Sequence, residues 1–227
     1  MKRLLLIVLP LLLIVGCSSP EPINYEETLN ERDGVFYTKD TNEPYSGPVF
    51  SLYDDGKKNK EGTFKDGKED GLWTRWYENG QKRQEGTFKD GKEDGLWTSW
   101  YENGQKWRER IYKPDELYSY TVWNRNGVKD REGNYKNGKE DGLYTEWYEN
   151  GQKKSELNYK DGKKDGLYTG WWENGQKSDE MTFKEGYLDG KSTGWYENNG
   201  QKEREEIYKD GDSISELWWN EDGSVKE

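Results

Sequence analysis

Between Gly71 and Asp94 the apolar positions come in short aromatic runs, and each run ends at a glycine-containing turn. Trp73, Trp76 and Tyr77 lead into Asn79-Gly80, and Phe88 leads into Asp90-Gly91. The spacing is not helical; it reads as strand and turn. Asn-Gly recurs at Asn103, Asn126, Asn150, Asn174 and Asn199, and it is the strongest short hairpin signal because both central residues of a type I′ turn take positive φ. Asp-Gly marks the opposite bend at Asp66, Asp90 and Asp161. Each stretch therefore predicts two antiparallel strands with a two-residue loop at Asn-Gly.

The pattern then repeats. Residues 71–94 read GLWTRWYENGQKRQEGTFKDGKED, and 95–106 open the next copy with GLWTSWYENGQK. Units begin at Gly47, Gly71, Gly95, Tyr118, Gly142, Gly166, Gly190 and Ile214, the fourth and last being degenerate; the interval is 24 residues, with one of 23 before Tyr118. Such a period means a stacked array in which each unit touches its neighbours. The predicted fold is all-β: an elongated, right-twisted, single-layer antiparallel meander of about 16 strands, roughly 75 Å long at ~4.8 Å per strand. Its expected limits are residues 33–227, with Gly34–Tyr37 as a leading edge strand and Trp218–Gly223 as a closing half unit.

A two-residue loop at Asn79-Gly80 fixes the register. It sets Phe88 opposite Gly71 and Trp73 opposite Gly86. The same offset sets Phe64 against Gly47, Tyr112 against Gly95, Tyr159 against Gly142 and Phe183 against Gly166. Each large ring is expected to lie over its opposed glycine. Alternation puts Trp73, Tyr77 and Phe88 on a packed face, and Leu72, Thr74 and Trp76 on the other, beside Arg83 and Glu85.

The N-terminus has a different composition. Lys2 and Arg3 precede the apolar run Leu4–Val15, and Gly16 and Cys17 follow. A basic start and a short apolar core make residues 1–16 a secretory signal, too short for an ordinary spanning helix of ~20 apolar residues. Ile14-Val15-Gly16-Cys17 resembles a bacterial lipobox. That resemblance implies cleavage before Cys17 and diacylglyceryl and fatty-acyl modification of it, palmitate included. Residues 17–32 are then a lipidated cysteine and tether. Ser18, where an aspartate would resemble an inner-membrane retention signal, implies the outer membrane if the cell is Gram-negative. Removing residues 1–16 takes Lys+Arg from 35 to 33 against 46 Asp+Glu, so the net charge moves from −11 to −13. This sign excludes a phosphate-neutralising nucleic-acid binder. Cys17 is the single cysteine, so stability must come from packing along the array.

The units GLWTRWYENGQK, GLYTEWYENGQK and GLYTGWWENGQK, with their FKDGKEDG and YKDGKKDG continuations, resemble the second variant of the MORN repeat over about residues 33–223. The resemblance implies an elongated sheet of hairpins. Cytosolic members are often labelled antitoxins, whereas this chain carries a signal and Cys17.

Reactive chemistry is sparse. Histidine is absent, and no serine sits in a nucleophile elbow. Glu78, Glu102, Glu149, Glu173 and Glu197 recur at one turn-edge slot, and a residue copied into every unit reads as structural. The oxygen-rich loop of Asp66, Glu69 and Asp70 is interrupted by lysine and fits no calcium-loop spacing, so a solvated turn is expected. We therefore expect no catalytic residue, cofactor or metal site. Trp76, Trp100, Trp147, Trp171 and Trp195 share one slot; as a ladder about 10 Å apart they suit an extended protein or glycan partner, or they pack against Arg and Lys stems. The expected function is a non-catalytic, lipid-anchored envelope protein with a repeat-built binding surface. The alternative is an antitoxin or immunity protein whose negative charge suits a basic toxin.

Overall fold

The computed structural model describes residues 20–113 and 116–226. The expected signal at residues 1–16 and the expected lipidation site Cys17 lie outside the described residues. Strand β1 (Ile23–Asn24) is followed by a single helical turn at Tyr25–Thr28, then β2 (Leu29–Arg32), β3 (Val35–Thr38), β4 (Gly47–Leu52), β5 (Lys58–Lys65), β6 (Lys68–Trp76), β7 (Lys82–Lys89), β8 (Lys92–Trp100) and β9 (Lys106–Lys113). Hairpins of the same kind continue to a last strand at Asp212–Trp218. From β4 onward the strands pair antiparallel in chain order and, with β1 added at the edge, make one open sheet of 17 strands in which Lys139–Glu140 and Gly142–Trp147 are two parts of one strand.

The expected register is present throughout. Gly71 is opposite Phe88 and Trp73 opposite Gly86. Gly47 meets Phe64, Gly95 meets Tyr112, Gly142 meets Tyr159 and Gly166 meets Phe183. The turn that produces it is not the expected one. At the Asn-Gly tip only Gly80 has positive φ, Gly80 N–H donates to Tyr77 O and Tyr77 N–H to Gln81 O. This is a three-residue loop, a type I turn closed by a left-handed glycine. The type I′ turn sits at the other end, where Asp66 and Gly67 both have positive φ, 51° and 76°. A bulge restores the register: Trp76 opposes Lys82 while Arg75 opposes Gln84, so Arg83 is the extra residue.

The expected cover of Gly71 by Phe88 is also corrected. A Cβ on Gly71 would meet nothing within 4 Å, so this glycine is there for its backbone, φ +77°. It belongs to a second bulge, where Gly71, Leu72 and Trp73 together oppose Gly62. The bulge swings the Trp73 indole over Gly62, and a Cβ there would lie 2.6 Å from Cε3 and closer to the ring fusion. Trp97 covers Gly86 in the same way. Indole N–H groups of Trp73 and Trp97 donate to Thr63 O and Thr87 O at 3.2 and 3.0 Å.

These rings form the core. Phe36, Phe64, Trp73, Phe88 and Trp97 follow one another with centroids 4.4, 5.2, 6.2 and 4.8 Å apart. The leading segment caps it. Gly34–Tyr37 was expected as an edge strand; instead β3 pairs with β2 in a separate two-stranded sheet, and Phe36 N–H donates to Gly67 O at 2.8 Å. The edge is β1, parallel to β4 with Ile23 opposite Val49. Residues 23–32 are thus folded onto the first unit, ahead of the boundary expected at 33. At the far end Trp219 bridges to Val225, closing the half unit.

Candidate functional site

The hairpin tips are stitched together by side chains copied from unit to unit. Tyr77 donates its hydroxyl to Trp100 O at 2.8 Å, and Tyr53, Tyr101, Tyr148 and Tyr196 do the same to the next unit. Asn79 accepts from Gln81 N–H at 2.9 Å and donates to Glu102 O at 3.0 Å. The tryptophan slot belongs to this lattice. Lys58 lies over Trp76 and Lys82 over Trp100, with Nζ 5.1 and 5.9 Å from the ring centroids; Lys129, Lys153 and Lys177 cover Trp147, Trp171 and Trp195. Each of these lysines also pairs with a glutamate, such as Glu61 or Glu85. All five ladder rings are half-buried beneath lysine stems. The glutamates alternate with buried threonines in a cross-strand row from Glu61 through Thr74, Glu85 and Thr98 to Glu109.

The acidic loops are equally structural. Asp141 accepts from Asp161 N–H at 3.3 Å, and Asp165 from Glu185 N–H at 3.2 Å, so each carboxylate caps the next type I′ turn. No cluster of metal-binding side chains is found among the described residues.

The aromatic face behaves differently. Its cross-strand row next to the Trp73 slot runs Lys60, Arg75, Gln84, Ser99, Arg108, Val122, Arg131, Glu146, and it changes from unit to unit. The rings change with it. Trp73 and Trp97 give way to Tyr120, Tyr144 and Tyr168, and beyond them to Ser192. A cleft of ≈ 420 Å³ opens where the degenerate unit begins, lined by Arg108, Arg110, Leu117, Tyr120, Val122, Arg131, Tyr135, Glu140 and Tyr144. Arg110 donates to Tyr112 Oη at 2.6 Å and approaches Glu93 at 3.4 Å. Burial, and then the neighbouring Arg110, lower the Arg108 pKa. Burial also pushes Tyr112 and Tyr120 up to about 12 and raises Tyr144.

Four segments, residues 69–90, 93–113, 140–161 and 164–185, match the MORN repeat variant. These four units are MORN repeats. A comparison with curated proteins finds no match. The matched MORN units flank the degenerate unit that starts at Tyr118, and the cleft lies between them. Positions copied in every MORN unit are explained by contacts between units: the tip tryptophans, tyrosines, asparagines and lysines all have that task. On the aromatic face one slot holds Lys60, Gln84, Arg108, Arg131, Ser155, Asp179 and Arg204 in successive units, and Arg110 stands where the units on either side have Gly86 and Gly133. Sequence reading passed over these arginines because Arg108, Arg110 and Arg131 look like ordinary members of a charged strand. The usable signal was their departure from the repeat.

Proposed function

We propose that this repeat-built binding protein is a non-catalytic, lipid-anchored protein of the bacterial envelope, held by Cys17 and presenting the array to a protein or glycan partner. The observation that carries the binding reading is the contrast between two neighbouring rows. The Thr–Glu row is copied through the array, while the row containing Arg75, Arg108 and Arg131 changes from unit to unit. Copying serves stacking, and departure from the copy marks a place where one ligand is read. The anchor is supported by the leader and the cysteine in the sequence Ile14-Val15-Gly16-Cys17. Neutralisation of a basic toxin is a second reading, favoured by the −13 charge that follows from 33 Lys+Arg against 46 Asp+Glu.

Fractionation of cells expressing wild type and Cys17→Ala tests the anchor. Wild type is expected in the membrane fraction and the variant in the soluble one; equal membrane recovery removes the anchor. Pull-down from the producing cell separates the two binding readings. Recovery of a small basic protein supports neutralisation, and recovery of envelope material without one supports display.

A further inference from the structure

We propose that the cleft between Arg108 and Arg131 binds an acidic carbohydrate, a chain of sugar rings bearing carboxylates. This rests on the binding-surface reading above and names its ligand class.

The charge there runs against the rest of the molecule. The chain carries −11 overall, yet Arg75, Arg108, Arg110 and Arg131 share one half of one face. Among the described residues neither Arg75 nor Arg108 has a carboxylate within ion-pair distance, and Arg131 has only Asp130, at 3.8 Å. Glu146 is directly opposite Arg131 but accepts from Tyr144 at 2.8 Å and from Ser155 at 3.3 Å instead. The far end of the face shows the contrast, where Arg204 is held by Asp179 at 2.6 Å and Glu206 at 3.4 Å. The Nε–H groups of Arg75, Arg108 and Arg110 are buried and make no hydrogen bond. A buried donor without a partner is costly, and packing Arg108 beside Arg110 adds repulsion. A carboxylate in the cleft offsets that repulsion, and guanidinium groups take carboxylates in a two-pronged fit.

The shape selects a carbohydrate over a peptide. Arg108 and Arg131 are two strands apart, about 10 Å, with Val122 between them and the Tyr120 and Tyr144 rings alongside. A sugar ring has an apolar face for such rings and a hydroxyl rim for Glu140. The ≈ 420 Å³ cleft is within the range of small-ligand sites. An extended peptide would gain little, because the strands beneath are paired on both sides and offer no free edge for strand addition.

The full chain, purified in detergent, is titrated with polygalacturonate, alginate and hyaluronan, with dextran as the neutral polymer and polyglutamate as the acidic peptide. We expect binding to at least one acidic polysaccharide and none to dextran. Arg108→Gln with Arg131→Gln should weaken it by about tenfold or more, and Arg83→Gln with Arg125→Gln should leave it unchanged. If the first pair does not fold, arginine modification of the wild type decides. The polysaccharide should protect Arg108 and Arg131 from phenylglyoxal and leave Arg83 reactive. Absence of binding to all three acidic polymers overturns the proposal, as do equal affinity for dextran, indifference to the cleft variant, or reaction at Arg108 and Arg131 undiminished by the polymer. Binding of polyglutamate in their place ends the carbohydrate assignment and leaves the binding-surface reading standing.

Discussion

Trp97 covers the bare backbone of Gly86: a Cβ on that glycine would fall 2.5 Å from the indole Cγ and nearer still to Cδ2. Gly86→Ala should therefore destabilise the fold by about 1–3 kcal/mol through overpacking. Gly71→Ala has open space around it and should cost about 1–2 kcal/mol through its φ of +77° alone. A double-mutant cycle with Trp97→Val separates the two mechanisms. In urea unfolding, Gly86→Ala should lose most of its cost when the indole is absent, whereas Gly71→Ala should keep its cost. Full additivity at Gly86 would show that the ring does not press on that backbone.

The turn assignment has its own consequence. Asp90, in the type I′ turn, has φ +52°, while Glu78, at the hairpin tip, is not among the residues of positive φ. A β-branched side chain is poorly tolerated in the left-handed region. Asp90→Val should lower the melting temperature clearly, by an amount equivalent to about 1–2 kcal/mol, and Glu78→Val should change it little. An effect of Asp90→Val no larger than that of Glu78→Val would remove the type I′ turn from Asp90-Gly91.

Tyr77 tests how far neighbouring units depend on each other. Its hydroxyl reaches Trp100 O, 23 residues on, so Tyr77→Phe removes a bond between units and leaves the ring in place. A loss of about 1 kcal/mol is expected, with faster hydrogen exchange at the tips of both units. Exchange confined to the tip of Tyr77's own unit would show that the bond does not couple them.

Much of this was legible in the sequence because the repeat and the spacing of its turns carry it. The opposition of Gly71 and Phe88 followed from counting residues. It came out right although the loop is one residue longer than expected, because the bulge at Arg83 restores the parity. What the count could not give was direction. A bulge at Gly71 decides that the Trp73 ring turns back over Gly62 rather than Phe88 lying over Gly71, and bulges depend on backbone torsions that residue alternation does not encode. The cleft was hidden for a related reason. Arg108 and Val122 are far apart in the repeat numbering, and only the pairing of β9 with the strand after it places them side by side.

The buried tyrosines set the behaviour at high pH. Burial raises Tyr112 and Tyr120 from the ordinary 10.0 to about 12 and also raises Tyr135, Tyr144, Tyr159 and Tyr168. Between these values the unfolded chain releases phenolic protons that the folded chain retains, so the unfolded state binds fewer protons and stability falls as pH rises. The stabilisation is intact below pH 10 and is lost progressively from 10 to 12. Urea midpoints should therefore hold level to about pH 9 and fall steeply beyond 10. The comparison that isolates the tyrosine contribution is Tyr120→Phe. This variant keeps the ring and removes the proton, and its midpoint should fall less steeply across pH 10–12 than that of wild type. Parallel slopes would mean that Tyr120 ionises as freely in the folded sheet as in the unfolded chain.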